Sequence, residues 1–183
     1  MLGILVGIFL LLLWILFLYF LKGRLTIILI GVGIGALGVF WLAGLIEFNW
    51  SKITGISLTE EQSKTLIAPI VEEFAKLLFI LFVLWYTRHK DISFDTMLFG
   101  ASVGLGFAFI ENFGVIENPL NVLLRGVFSW PMHILTATLL SYGIERFIKS
   151  KSKRNTFWTL ALLLIAVGIH SAFNYTVLCL GFH

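Results

Sequence analysis

Glu72, Glu73, Glu111, His133 and His170 are ionisable residues set inside segments otherwise apolar enough to cross a membrane. The segments are IAPIVEEFAKLLFILFVLWY, LFGASVGLGFAFIENFGVI, VFSWPMHILTATLL and LALLLIAVGIHSAFNYTVLCL. An ionisable side chain at the level of the hydrocarbon costs about 3 kcal/mol or more, so each is a functional-site hypothesis by default. Carboxylates and imidazoles together suit hydrolysis, which needs a base to activate water and donors for a developing oxyanion. Adjacent carboxylates such as Glu72 and Glu73 repel in a low dielectric, so one is expected to keep a proton while its neighbour acts as base. His170 and Asn174 are four residues apart, share a helical face and can donate to an oxyanion. The same groups can instead hold a metal. His133, His170 and Glu111 make a His₂Glu set with an open position, a pattern suited to catalytic zinc. The zinc-helix motif H-E-x-x-H is absent. The residues alone leave both chemistries open, zinc or glutamate without a metal.

The elements that must position these groups follow from composition. The chain is 59% hydrophobic and 13% charged, with mean hydropathy +1.00, against about 25% charged in an ordinary soluble domain. A hydrocarbon core about 30 Å thick needs about 20 apolar helical residues to cross it. That measure predicts six spans, near 2–21, 25–46, 66–86, 96–116, 126–147 and 156–180. Barrel strands would alternate apolar and polar residues, and these runs are continuous. The expectation is an all-α polytopic membrane bundle, one domain over 1–183, with lipid as its surroundings. The lone Cys179 has no partner for an internal disulfide. No basic residue precedes the first span and no small-residue cleavage pattern follows it, so it is expected to be a retained helix.

Basic residues orient the bundle. Lys22, Arg24, Arg88, Lys90, Arg146, Lys149, Lys151, Lys153 and Arg154 fall after the first, third and fifth spans. Only Lys52, Lys64 and Arg125 fall in the other loops. Lys and Arg concentrate in cytoplasmic loops, which places both termini on the extracytoplasmic side. The five-charge loop beside the sixth span is a topology and lipid-contact signal rather than the basic face that nucleic-acid binding needs.

The long polar stretch NWSKITGISLTEEQSKT contains Thr59 and Gln62 at capping-box spacing, so the third helix is expected to begin near Glu60. Gly31, Gly35, Gly100 and Gly104 are spaced to let helices pack closely. GVGIGALG is not a phosphate loop, because no strand precedes it.

At about 1.5 Å rise per residue, the polar groups reach a common depth. Glu72 and Glu73 fall roughly 9–11 Å below the outer boundary, Glu111 about 8 Å, His133 roughly 10 Å, His170 roughly 15 Å and Asn174 roughly 9 Å. Four helices thus bring their polar groups to one level. Glu72 and Lys76, four apart, are spaced for a buried ion pair. Glu73 projects about 100° away from Glu72. Phe107 shares a face with Glu111. Pro131 is expected to kink the fifth helix near His133.

These residues resemble a family. EEFAK at 72–76 looks like the EExxK motif of the PrsW intramembrane proteases, and FAFIEN at 107–112 looks like their FxxxEN motif. SWPMHILTATLLSYG, with Arg125 upstream, resembles their histidine-bearing fifth-helix segment, and HSAFN at 170–174 resembles their final motif. The resemblance covers residues 69–175. It implies that Glu72 and Glu73 are the activating pair, that Glu111, His133 and His170 complete the site, and that Asn174 assists the oxyanion. Lys76, Phe107, Asn112 and Arg125 would support it. It also implies a prokaryotic cell membrane and cleavage of membrane-anchored proteins such as an anti-sigma factor. The wider superfamily includes CAAX-prenyl proteases, which carry EExxxR and FxxxH. Lys76, one position earlier, and Glu111 in the second motif depart from that pattern. The remaining alternatives are a scaffold that binds partner helices and a proton-coupled carrier. Internal repeats would favour a carrier, and none is evident.

A cysteine placed at position 151, with Cys179 replaced by Ser, is expected to react with a membrane-impermeant thiol reagent only after the cytoplasmic side is opened. Labelling of intact cells would reverse the orientation.

Overall fold

Inside hydrocarbon a backbone must satisfy its own N–H and C=O groups, and a helix does so locally. The computed structural model describes residues 2–89, 95–112, 119–150 and 152–180, and no strand occurs among them. Lys90, Lys151 and His183 lie outside the described residues. Helix α1 is Leu2–Lys22. Helix α2 (Leu25–Gly33) continues through a π-helical turn at Ile34–Val39 into α3 (Phe40–Phe48), and a short α4 (Trp50–Thr54) follows. Helix α5 (Glu60–Gln62) continues through a second π-helical turn at Ser63–Ile67 into α6 (Ala68–His89). Helices α7 (Thr96–Glu111), α8 (Pro119–Lys149) and α9 (Lys153–Cys179) complete the bundle.

Four of the helical rods are long and apolar enough to cross a membrane: Leu2–Leu21, Leu25–Phe48, Val122–Lys149 and Lys153–Cys179. The other two expected spans are not among these four described rods, and their residues show why. Helix α6 carries Glu72, Glu73 and Lys76 within its apolar run. Helix α7 has 16 residues, about 24 Å, less than the roughly 30 Å of a hydrocarbon core. The expected span ran to residue 116, and 113–116 lie outside the described residues; within those described the helix is Thr96–Glu111, and the Asn112 side-chain amide donates to the Ala108 carbonyl at 2.6 Å. Glu111 is the last residue of that helix.

Local chemistry explains the other boundaries. Thr59 Oγ1 accepts from the Gln62 N–H, and the Gln62 side chain accepts from the Thr59 N–H, the reciprocal capping box expected from the spacing. The Asp95 carboxylate caps α7 through the Leu98 N–H. The Ser152 hydroxyl caps α9 through the Asn155 N–H. Helix α8 continues through Pro131, which has no N–H to offer the Val127 carbonyl.

Helix α7 is the hub. Its residues from Leu98 to Ala108 are buried without interruption, between α2 with its π-helical turn on one side and α8 on the other. A helix buried all round must be apolar all round, and here it must also be thin. A Cβ on Gly31 would come within 2.5 Å of Ser102 Cβ and 3.0 Å of the Phe99 carbonyl. One on Gly35 would strike the Val103 carbonyl, one on Gly100 the Ser141 hydroxyl, and one on Gly104 the His133 carbonyl. All four glycines singled out by spacing thus sit at helix crossings. Gly106, against the Val32 carbonyl, adds a fifth. The outer faces of α1 and α9 expose Leu5, Phe9, Leu12, Phe20, Phe157 and Leu164. Apolar surface of that extent belongs against lipid, and the chain is an integral membrane protein.

Gly104→Val is expected to lower stability in detergent by about 1–3 kcal/mol through overpacking, seen as a lower thermal midpoint. Gly33→Ala, whose Cβ would meet nothing within 4 Å, is expected not to lower it. Equal midpoints for the two variants would refute the close-crossing account.

Candidate active site

Helix α6 supplies three of the site's groups. Lys76 Nζ donates to Glu73 Oε1 at 2.7 Å and lies 2.9 Å from His133 Nδ1. It also sits 4.6 Å from the centre of the Phe107 ring. Lys76, Glu73, His133 and His170 are all fully buried. The spacing predicted a Glu72–Lys76 pair, and the structure pairs Lys76 with Glu73 instead. Residues three and four apart both share a face, so helix geometry does not choose between them. The choice is made by α7 and α8, which place Phe107 and His133 on the Glu73 side, where an ammonium gains a ring face and an imidazole nitrogen.

Glu73 Oε1 is the meeting point. It accepts from Lys76, from His170 Nδ1 at 2.9 Å, and from Thr136 Oγ1 at 3.2 Å. With its Nδ1 proton given to a carboxylate, His170 keeps its Nε2 lone pair free, the arrangement that carboxylate–histidine pairs use to orient metal ligands. That Nε2 has no hydrogen-bond partner, nor has Glu72 Oε2. The two atoms are 3.7 Å apart. Glu72 is 6% exposed, so this is a buried, unsatisfied carboxylate oxygen facing a buried, unsatisfied imidazole nitrogen. Such groups cost about 1–3 kcal/mol each when left alone, and a pair facing each other calls for an explanation.

His133 completes the cluster. Its ring meets His170 edge-on at 4.7 Å between centres and packs against Phe107 at 5.1 Å. Nδ1 faces the Lys76 ammonium, so Nε2 carries the proton and donates to Glu111 Oε2 at 2.8 Å. The five predicted groups from four helices are therefore one connected set. The predicted zinc ligands were Glu111, His133 and His170. The structure instead groups Glu72, His133 and His170, with ligand atoms within 4.8 Å of one another, and gives Glu111 to His133 as a hydrogen-bond partner. These residues fit a zinc ion. Were zinc bound, Glu72, His133 and His170 would hold it, and it would supply Lewis acidity at the inner end of the cavity.

A cavity of about 350 Å³ opens onto this cluster. Glu72 and Glu111 project into it beside Phe107, and Arg125, Lys64 and Asn174 stand on its wall. Arg125 Nη1 donates to Asn112 Oδ1 at 2.8 Å, a cation placed at the negative end of α7, where it is favoured. Asn174 Nδ2 donates to the Lys64 carbonyl at 2.9 Å. One of its two amide protons is thus committed to the π-helical turn, and the other is free for the cavity. Two residues were missed from sequence. Thr136 sits three residues after His133 and so on its face, a signal that was there to be used. Glu47 lines the cavity from α3 with a buried Oε1 that has no partner. It was overlooked because it stands at the end of its span.

Removing one partner from a buried ion pair leaves an uncompensated charge, at a cost of about 3–5 kcal/mol. Lys76→Met is therefore expected to lower the thermal midpoint sharply, whereas Glu72→Gln, which removes an unsatisfied group, is expected to hold or raise it. A Lys76→Met midpoint equal to that of the unmodified protein would show that Glu73 is not held as a charge by Lys76.

A family model described as the PrsW family intramembrane metalloprotease matches residues 23–182. Protease PrsW of Clostridioides difficile is 30% identical over 120 residues, 61% of this chain and 50% of that protein. Protease PrsW of Oceanobacillus iheyensis is 30% identical over 108 residues, 58% of this chain and 50% of that protein. Protease PrsW of Bacillus subtilis is 22% identical over 118 residues, 63% of this chain and 54% of that protein. The chain spans about half the length of the curated relatives it matches. No solved structure matches it. With the family match running through every helix that contributes to the buried cluster, the chain belongs to the PrsW family of intramembrane metalloproteases.

Proposed function

We propose that this chain is an intramembrane endopeptidase that hydrolyses a peptide bond of membrane-anchored proteins, with zinc held by Glu72, His133 and His170. The observation that carries the reading is the pair of buried, unsatisfied atoms, Glu72 Oε2 and His170 Nε2, facing each other beside His133 at the inner end of a cavity. Zinc bound there supplies a Lewis acid that polarises the scissile carbonyl and acidifies water. The chain's own residues do the rest. Glu73 fixes the His170 ring, and Lys76 holds Glu73 in turn. Glu111, whose side chain is 26% exposed to the cavity, is the carboxylate placed to take a proton from the attacking water and return it to the leaving amine. The Arg125 guanidinium and the free amide proton of Asn174 are donors on the same wall, where an oxyanion would form. Phe107 covers Lys76 and His133 and keeps the inner end dry. The substrates are single-span proteins, of which an anti-sigma factor is the example implied by family resemblance. The cavity faces the extracytoplasmic side, in keeping with the distribution of Lys and Arg.

Purified protein in detergent or liposomes is assayed on a panel of single-span substrates. Glu111→Gln is expected to lower turnover by about 10²–10⁴-fold with zinc content kept. Glu72→Gln and His170→Gln are expected to lose both zinc, measured by mass spectrometry, and activity. A chelator should abolish cleavage and added zinc restore it. Activity indifferent to chelator would replace the zinc mechanism by a glutamate one. A protein that cleaves nothing across the panel would overturn the protease reading.

A further inference from the structure

Three carboxylates, Glu47, Glu72 and Glu111, line the cavity, against two cations, Lys64 and Arg125. Neither cation is paired with Glu47. Lys64 Nζ is 2.7 Å from Glu60 Oε1, and Arg125 is drawn to Asn112. Glu72 and Glu111 both have work at the histidine cluster. Glu47 has none. Its Oε1 is buried without a hydrogen-bond partner, and among the described residues no ion pair is recorded for it.

Its position narrows what would satisfy it. Glu47 is the second-last residue of the span Leu25–Phe48, so it stands at the mouth of the cavity while Glu72, nine-tenths buried with an unpartnered Oε2, marks the inner end. Both line one cavity of about 350 Å³, and an extended peptide rises about 3.3 Å per residue. A substrate whose scissile bond lies at Glu72 and His170 has its neighbouring residues in the same cavity as Glu47, which at this rise holds about three of them. With three carboxylates against two cations the cavity is short of positive charge, and a substrate Lys or Arg has a stem long enough to carry its charged head to Glu47. A cationic side chain there would meet a carboxylate with an open acceptor.

Resting on the protease reading above, we propose that Glu47 is a specificity residue that receives a Lys or Arg side chain of the substrate within about three residues of the cleaved bond. The interaction is a charge-assisted hydrogen bond in a partly dry site, which is strong. A water or a metal ion at Glu47 are the other occupants, and the test separates them.

Paired single-span substrates are compared, identical except for Lys or Met at each position within three residues of the cleavage site. For the unmodified protein, kcat/KM is expected to favour Lys by about tenfold at one position, the ratio that 1.4 kcal/mol gives. Glu47→Gln should bring that ratio close to one, and Glu47→Lys should turn the preference towards Glu at the same position. A Lys-to-Met ratio that survives in Glu47→Gln, or that is near one at every position in the unmodified protein, overturns the proposal, and either result leaves the site to water or metal. Binding of the same peptides, fluorophore-labelled and read by anisotropy, tests Glu47 without cleavage. A Lys preference in binding that Glu47→Gln removes upholds the subsite even if nothing is cleaved, in which case the protease reading alone fails. Cleavage without any Lys preference sinks the subsite alone.

Discussion

A lysine with no exposure to solvent has to find its counter-charge inside the protein, and most of the site can be derived from where Lys76 finds it. Its ammonium takes Glu73 from its own helix, the Phe107 ring from α7 and an imidazole nitrogen from α8. Each partner is thereby fixed for a further purpose. Glu73, held by Lys76, in turn holds His170 of α9. His133, held at Nδ1, presents Nε2 to Glu111. One buried cation thus organises side chains from four helices. A buried ion pair is weak evidence of stability, because desolvation offsets much of the attraction. Its value here is positional: it fixes the His170 ring through Nδ1 and leaves Nε2 facing Glu72.

That network needs its helices very close, and the glycines of α7 provide the approach. The Gly104 crossing is against the carbonyl of His133 itself, so the same contact that packs α7 onto α8 sets the height of the histidine. Gly35 crosses α7 at Val103, a turn before Phe107. The open cavity is the other half of the arrangement: Glu111, the last carboxylate of α7, lines it, and polar substrate or water has a way in. Rigid crossings beneath and an open cavity above give a site that is both ordered and accessible.

Much of this was legible in the chain itself. Continuous apolar runs announced a helical membrane bundle, and polar residues at one computed depth announced that they would meet. The Thr59–Gln62 box and the glycine spacing were read from local chemistry and hold for local reasons. What was not legible depended on rotation and on neighbours. Whether Lys76 turns to Glu72 or to Glu73 is undetermined by a helix on which both are on one face, and is decided by Phe107 and His133 from elsewhere. Glu47 escaped notice because a carboxylate at the end of a span reads as solvated, and only the fold shows one of its oxygens enclosed.

The two successive glutamates make the deepest use of helical geometry. Neighbours on a helix project about 100° apart, so two identical side chains one residue apart meet different surroundings. Glu73 turns inward to three donors and has one oxygen saturated. Glu72 turns towards the cavity and has an oxygen with none. The Glu73 oxygen that three donors occupy is a poor base and a poor ligand, while its Oε2, like Glu72 Oε2, is buried without a partner. A carboxylate left bare in a low dielectric is costly until something positive arrives, and then binds it strongly. In the proposed reading the pair divides the labour of hydrolysis at a metal, one residue orienting a histidine and its neighbour holding the ion beside that histidine. The arrangement depends on adjacency: moving Glu72 back or Glu73 forward by one position would swing it another 100°, away from the group it now faces.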